Sequence, residues 1–305
     1  MGTSNSYSGA GGGKPLIPSW LDDGPGTGGP QPSPPTPAAQ PPVGGDGTPP
    51  PLPGVVPSVG GAGGSTSPSL PPVPAAGDPR RYTAARNNFT RFLSSGGSDR
   101  RSLGRALSHY VSNSSGGSRS AARRMAVARN STARLASVLS SAISGNAPAV
   151  LRSLGLESLA GRPIEEIFLG IMEVICPEGG AIDDSIAREA FVETIIDLAE
   201  NGIADFDALT PDQVQTILEL NVTHAIEARI CNDIGAHAIS MPQDAKEASE
   251  IQAQLFEFVG RAVSDSFAAN QIATITQDQV TRTIDTIYEQ SYSILQSMAE
   301  AEIDK

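Results

Sequence analysis

The residues of this 305-residue chain best suited to metal binding or nucleophilic chemistry are three histidines, His109, His224 and His237, and two cysteines, Cys176 and Cys231. Their spacing supports neither role. There is no HExxH, HxH or CxxC pattern, and Cys231 and His237 stand six residues apart, so they do not share a helix face. Each cysteine reads as a small buried apolar residue in a reduced cytoplasm. The acidic pairs Glu165-Glu166 and Asp183-Asp184 fall in first helical turns, where capping and the helix dipole account for them. Glu189 and Glu193 form an i, i+4 pair whose default reading is a solvated face. No Walker loop, GxGxxG, GxSxG or Ser/His/Asp pattern is present. The expectation is a chain that is no enzyme and holds neither metal nor cofactor.

Two groups of residues can still do chemistry. The first is a set of arginines. Residues 80–134 carry 12 Arg against Asp99 alone, whereas residues 135–305 carry 8 basic and 28 acidic residues, so an overall charge of −12 conceals a basic middle. Arginine stands in place of lysine at every one of these positions, and its guanidinium pairs with carboxylate or phosphate in bidentate fashion. Arg119, Arg123, Arg124, Arg129 and Arg134 are the candidate anion-binding residues. Their target is the acidic body of the same chain, an acidic partner, or the phosphates of DNA or RNA. No helix-turn-helix, zinc-finger or RNP pattern accompanies them.

The second group is the N-terminal tip, MGTSNSYSGAGGGKPLIPSWL. Small residues run from Gly2 to Gly13 and are followed by an apolar cluster, Leu16, Ile17, Trp20 and Leu21, broken by Pro15 and Pro18. A lone Trp among prolines has little to bury against within its own segment, so a pocket on another protein is its expected partner. A tail with an incidental aromatic is the alternative.

The tip resembles the B component of the Qat anti-phage defence systems of bacteria. The resemblance rests on Gly2, Thr3, Ser4, Ser6, Tyr7, Gly9, Gly11 to Gly13, Pro15 to Ile17 and Pro18 to Leu21, which together cover a small part of the chain. It implies partners: an ATPase, a QueC-like protein and a TatD-like nuclease. It also implies a chemistry, because a QueC-type enzyme uses ATP to activate a deazaguanine carboxylate that an amine then attacks. Gly2, once Met1 is removed, would offer such an amine. Gly2, Thr3, Ser4, Tyr7, Leu16, Ile17, Trp20 and Leu21 are therefore the candidate residues for partner binding or modification. The reading that follows is a non-catalytic adaptor and substrate subunit of a defence complex. The alternative is a nucleic-acid-binding, phage-sensing subunit acting through the arginine stretch.

The elements that must position these residues divide into four regions. Residues 1–21 are the tip. Residues 22–79 hold 18 Pro and 13 Gly and are expected to be a disordered linker. Such a linker spans about 40 Å as a coil and approaches about 180 Å as extended polyproline. Residues 80–145 are expected to be a basic helical segment, with helices over Arg80–Ser94, from a cap at Ser98, and from Ser118 to about Ser144. Residues 146–305 are expected to be an acidic all-helical domain. There, Pro163 opens one helix, and the S/T-x-x-Q signatures at Thr210, Ser240 and Thr276 open three more. The fold class is all-α: a helical bundle preceded by a long disordered tail. No run of about 18 apolar residues is present, so no membrane span is expected. The N-terminus lacks the charged and apolar regions of a signal peptide, so the expected location is the cytoplasm.

Overall fold

The structure is a computed structural model that describes residues 79–177, 179–235, 245–270 and 277–301. All of these belong to the unit Thr66–Lys305. Apolar residues at helical spacing make each described element a helix. Helices α1 (Thr83–Ser94) and α2 (Arg100–His109) form a pair, and a π-helical turn (Tyr110–Ser114) leads on to α3 (Ser118–Arg124) and α4 (Ala126–Ser141). After α5 (Ala147–Ser153) come α6 (Ile164–Ile175) and α7 (Ile182–Glu200). Three long helices complete the body: α8 (Pro211–Gly235), α9 (Ala245–Asn270) and α10 (Gln277–Ala301). The described residues are all-α, with no strand, and none of their helices is long and apolar enough to cross a membrane. The expected tail and linker lie outside the described residues, as do the signatures at Ser240 and Thr276.

Helices α8 and α10 organise the packing. Helix α8 lies against α7, α9 and α4, and α10 lies against α9, α2, α3 and α4. Along α8, Ile217, Leu218, Val222, Ile226 and Ile230 are fully buried. Each such side chain contributes about 1.5–3 kcal/mol relative to an exposed one. One continuous core runs from Tyr82 in the basic stretch to Leu295 in α10, so the basic stretch shares its core with the acidic helices. A buried polar chain crosses that core. The Thr132 hydroxyl donates to Asn221 Oδ1 at 2.8 Å and lies 3.1 Å from the Tyr288 hydroxyl. Asn221 Nδ2 in turn donates to Thr194 Oγ1 at 3.3 Å. These bonds tie α4, α8, α10 and α7 together, and a satisfied buried network of this kind specifies one packing over others.

Several local expectations meet the structure directly. The Thr210 capping box is formed: Gln213 N–H donates to Thr210 Oγ1 at 3.2 Å, and Thr210 N–H donates to Gln213 Oε1 at 3.0 Å. Other expectations are corrected. The cap of α2 is Asp99 and not Ser98, because the Asp99 carboxylate accepts from both the N–H and the hydroxyl of Ser102. Ser98 instead donates its hydroxyl back to Ser95 O. The helix expected from Ser118 to about Ser144 is two helices, parted at buried Met125, whose φ/ψ of −93°/24° leaves the helical region. Pro163 lies one residue ahead of α6, at extended φ/ψ, and not inside its first turn.

Candidate functional site

The candidate tip residues Gly2, Thr3, Ser4, Tyr7, Leu16, Ile17, Trp20 and Leu21 lie outside the described residues. The arginine stretch is described, and it faces the acidic helices. Arg124 Nη2 donates to Asp233 Oδ2 on α8 at 2.8 Å, with only a quarter of the Arg124 side chain exposed. The same Asp233 oxygen accepts from the Tyr110 hydroxyl at 2.8 Å and has Arg229 Nε 3.4 Å away. Arg229 also bonds Asp183 at the start of α7. Two further arginines reach α10: Arg129 to Asp285 at 2.9 Å and Arg119 to Glu289 at 3.1 Å. Arg123 and Arg134 are exposed on α3 and α4. Burial pushes the Tyr110 and Tyr292 hydroxyls well above the usual tyrosine range, so both keep their protons beside these charges. The geometry is that of a basic segment seated on an acidic surface of its own chain.

A second constellation, which the sequence pattern does not single out, lies between α7, α8 and α9. It is a cleft of about 460 Å³. From α7 it takes the carboxylates of Glu189, Glu193, Asp197 and Glu200, which lie at helical spacing along one flank. From α8 it takes His224, Glu227 and Cys231. Helix α9 supplies Gln252, Ala253 and the ring of Phe256. His224 bonds Asp197 through Nε2 at 2.7 Å and lies against Phe256 with ring centroids 4.6 Å apart.

Glu227 is the unusual member. Its side chain is 7% exposed, it accepts a hydrogen bond from Gln252, and its Oε1 has no hydrogen-bond donor among the described residues. Burial pushes its carboxyl up to about 7, and the charges of Glu193, Glu189 and Asp197 act in the same direction. Desolvation, and then Glu193, also raise Glu189. Of the two cysteines expected to be buried, Cys176 is buried, whereas Cys231 on the cleft wall is an exposed residue; packing around its sulfur and the charges of Glu227 and Glu189 push its thiol up to about 12. It is therefore held as a thiol, the poorly nucleophilic form. Among the described residues no group of three His, Cys, Asp or Glu side chains is placed to hold a metal ion. Glu189 and Glu193, expected to form a solvated face, are both exposed, and the same face lines this cleft. The signal in the sequence was Glu227, a carboxylate between Ile226 and Ile230 on a helix whose neighbours are almost all buried.

The sequence pattern of one family, described as Qat anti-phage system associated protein QatB, matches residues 116–295. That match runs from the start of α3 into α10 and does not overlap the tip, so tip and body point to the same system from separate residues. Neither curated proteins nor solved structures gave a match. With more than half of its length matched, the chain belongs to the family of Qat anti-phage system associated protein QatB and has a role in that defence system.

Proposed function

We propose that this chain is a non-catalytic adaptor and substrate subunit of the Qat defence complex, and that its N-terminal tip is bound or modified at Gly2 by the system's QueC-like protein. The observation that carries this reading is the agreement between the family match over residues 116–295 and the independent resemblance of the tip. The chemistry suits the residues. The α-amine of an N-terminal Gly2 has a pKa of about 8, so a neutral, nucleophilic fraction exists at pH 7. Attack of that nitrogen on an ATP-activated deazaguanine carboxylate would form an amide, expel AMP and release one proton. Glycines from Gly9 to Gly13 let the backbone thread a narrow cleft. Leu16, Ile17, Trp20 and Leu21 would then dock at its mouth.

The helical body serves as anchor in this reading, and its contacts with the ATPase and the TatD-like nuclease belong to the same proposal. The ion pairs of Arg119, Arg124 and Arg129 favour an internal docking role for the arginine stretch over phosphate contact. Co-purification tests the adaptor reading. Full-length chain is expected to retain the QueC-like protein and a chain lacking residues 1–21 to lose it. Equal retention by both would overturn the role given to the tip.

A further inference from the structure

From the cleft between α7, α8 and α9 we infer that this chain binds an organic cation, an ammonium or guanidinium group on an aliphatic stem, with the Glu227 carboxylate receiving the charge. The inference does not rest on the role proposed for the tip. Its first support is the cleft itself, at about 460 Å³, a size that suits a small ligand or an inserted side chain. Its second is Glu227, a nine-tenths buried carboxylate in the lining of the cleft, one of whose oxygens, Oε1, has no donor among the described residues. A buried acceptor left unpaired is costly, and a charged donor in the cleft would remove that cost.

The walls select the kind of cation. Glu193 and Asp197 add negative charge beside Glu227, while Ala190, Ala228 and Ala253 present apolar surface and Phe256 an aromatic ring. An aliphatic stem packs on such walls, and a cationic head gains from the nearby π face. A bare divalent ion would need several oxygens converging at short range, and no such group exists among the described residues. The cation can come from a free polyamine or from a lysine or arginine of a protein; both offer the same chemistry to the same carboxylates.

The test is calorimetric titration of the full-length protein with spermidine, with a short lysine-containing peptide and with Mg²⁺, each at physiological salt, repeated on the Glu227→Gln variant. At least one of the two organic probes is expected to bind, and Glu227→Gln to weaken it about tenfold or more. Tighter spermidine binding would identify a free amine, and tighter peptide binding a protein side chain. Failure of both probes would overturn the inference. So would binding that is unchanged in Glu227→Gln, or Mg²⁺ binding that is lost with the same substitution. Circular dichroism of the variant separates lost binding from lost fold. Hydrogen exchange with the bound probe should show protection confined to α7, α8 and α9.

Discussion

Asp233 and Glu227 are six residues apart on α8, both largely buried, and the helix turns them toward opposite fates. Asp233 meets Tyr110, Arg124 and Arg229. Glu227 accepts from Gln252, has His224 Nδ1 3.9 Å from its Oε2 and feels the charges of Glu193, Glu189 and Asp197, while its Oε1 meets no donor among the described residues. The first arrangement welds two parts of the chain together, because the Tyr110 hydroxyl and the Arg124 guanidinium both donate to one oxygen that also has the Arg229 charge 3.4 Å away. The second leaves electrostatic potential unspent in an open cleft. A carboxylate that is satisfied internally serves the fold, whereas one held unsatisfied against its own chemistry is available to something from outside.

The largest effect expected from breaking this contrast is at the welded end. Asp233→Ala would strand the Arg124 charge in a partly buried site and leave Arg229 with Asp183 alone, with a loss of about 3 kcal/mol in urea unfolding. A loss within error of zero would mean that the arginine seam is incidental. At the cleft the sign reverses. Glu227 has a folded-state pKa of about 7 against an ordinary 4.5. Its folded form is thus neutral across a window in which its unfolded form has already ionised. The penalty is absent below that window, grows as pH rises through it and is complete above about 7. Glu227→Gln is therefore expected to be more stable than the wild type at pH 8, by at most about 3 kcal/mol, with the advantage much reduced at pH 5. Thermal unfolding of both proteins at the two pH values measures this difference and cancels the other titrating groups. An advantage that does not change with pH would contradict it.

Smaller effects sharpen the boundary. Thr210→Ala removes one half of the capping box of α8 and is expected to cost about 1 kcal/mol. Arg119→Ala removes a pair whose arginine side chain is 72% exposed and is expected to cost under about 0.5 kcal/mol at moderate salt. If Arg119→Ala matched Asp233→Ala, burial would not be what separates structural from superficial pairs here.

What the sequence made legible was local. The periodic apolar residues of α6, from Ile164 to Ile175, are all buried as their spacing requires. The Thr210-to-Gln213 device is formed because both of its partners lie within one turn. What it hid depended on distant neighbours. Nothing in the Ala-rich run around Met125 marks a break, since that break accompanies the burial of Met125 and the reach of Arg124 to Asp233. Ser98 and Asp99 are both good caps, and only the position of Ser102 decides between them. The cleft was illegible for the same reason. The acids of α7 form a solvated face as their spacing suggests, and only the packing of α8 and α9 beside them makes that face one wall of a cleft.

The role proposed for the tip requires that this chain be acted upon at its N-terminal end by another member of its defence system. The most direct measurement is the intact mass of the protein, expressed with and without the QueC-like protein and followed by mapping of the N-terminal peptide. A mass increase that requires that protein and resides on Gly2 is the predicted result. An unmodified chain in both preparations, with association undiminished when residues 1–21 are removed, would contradict it.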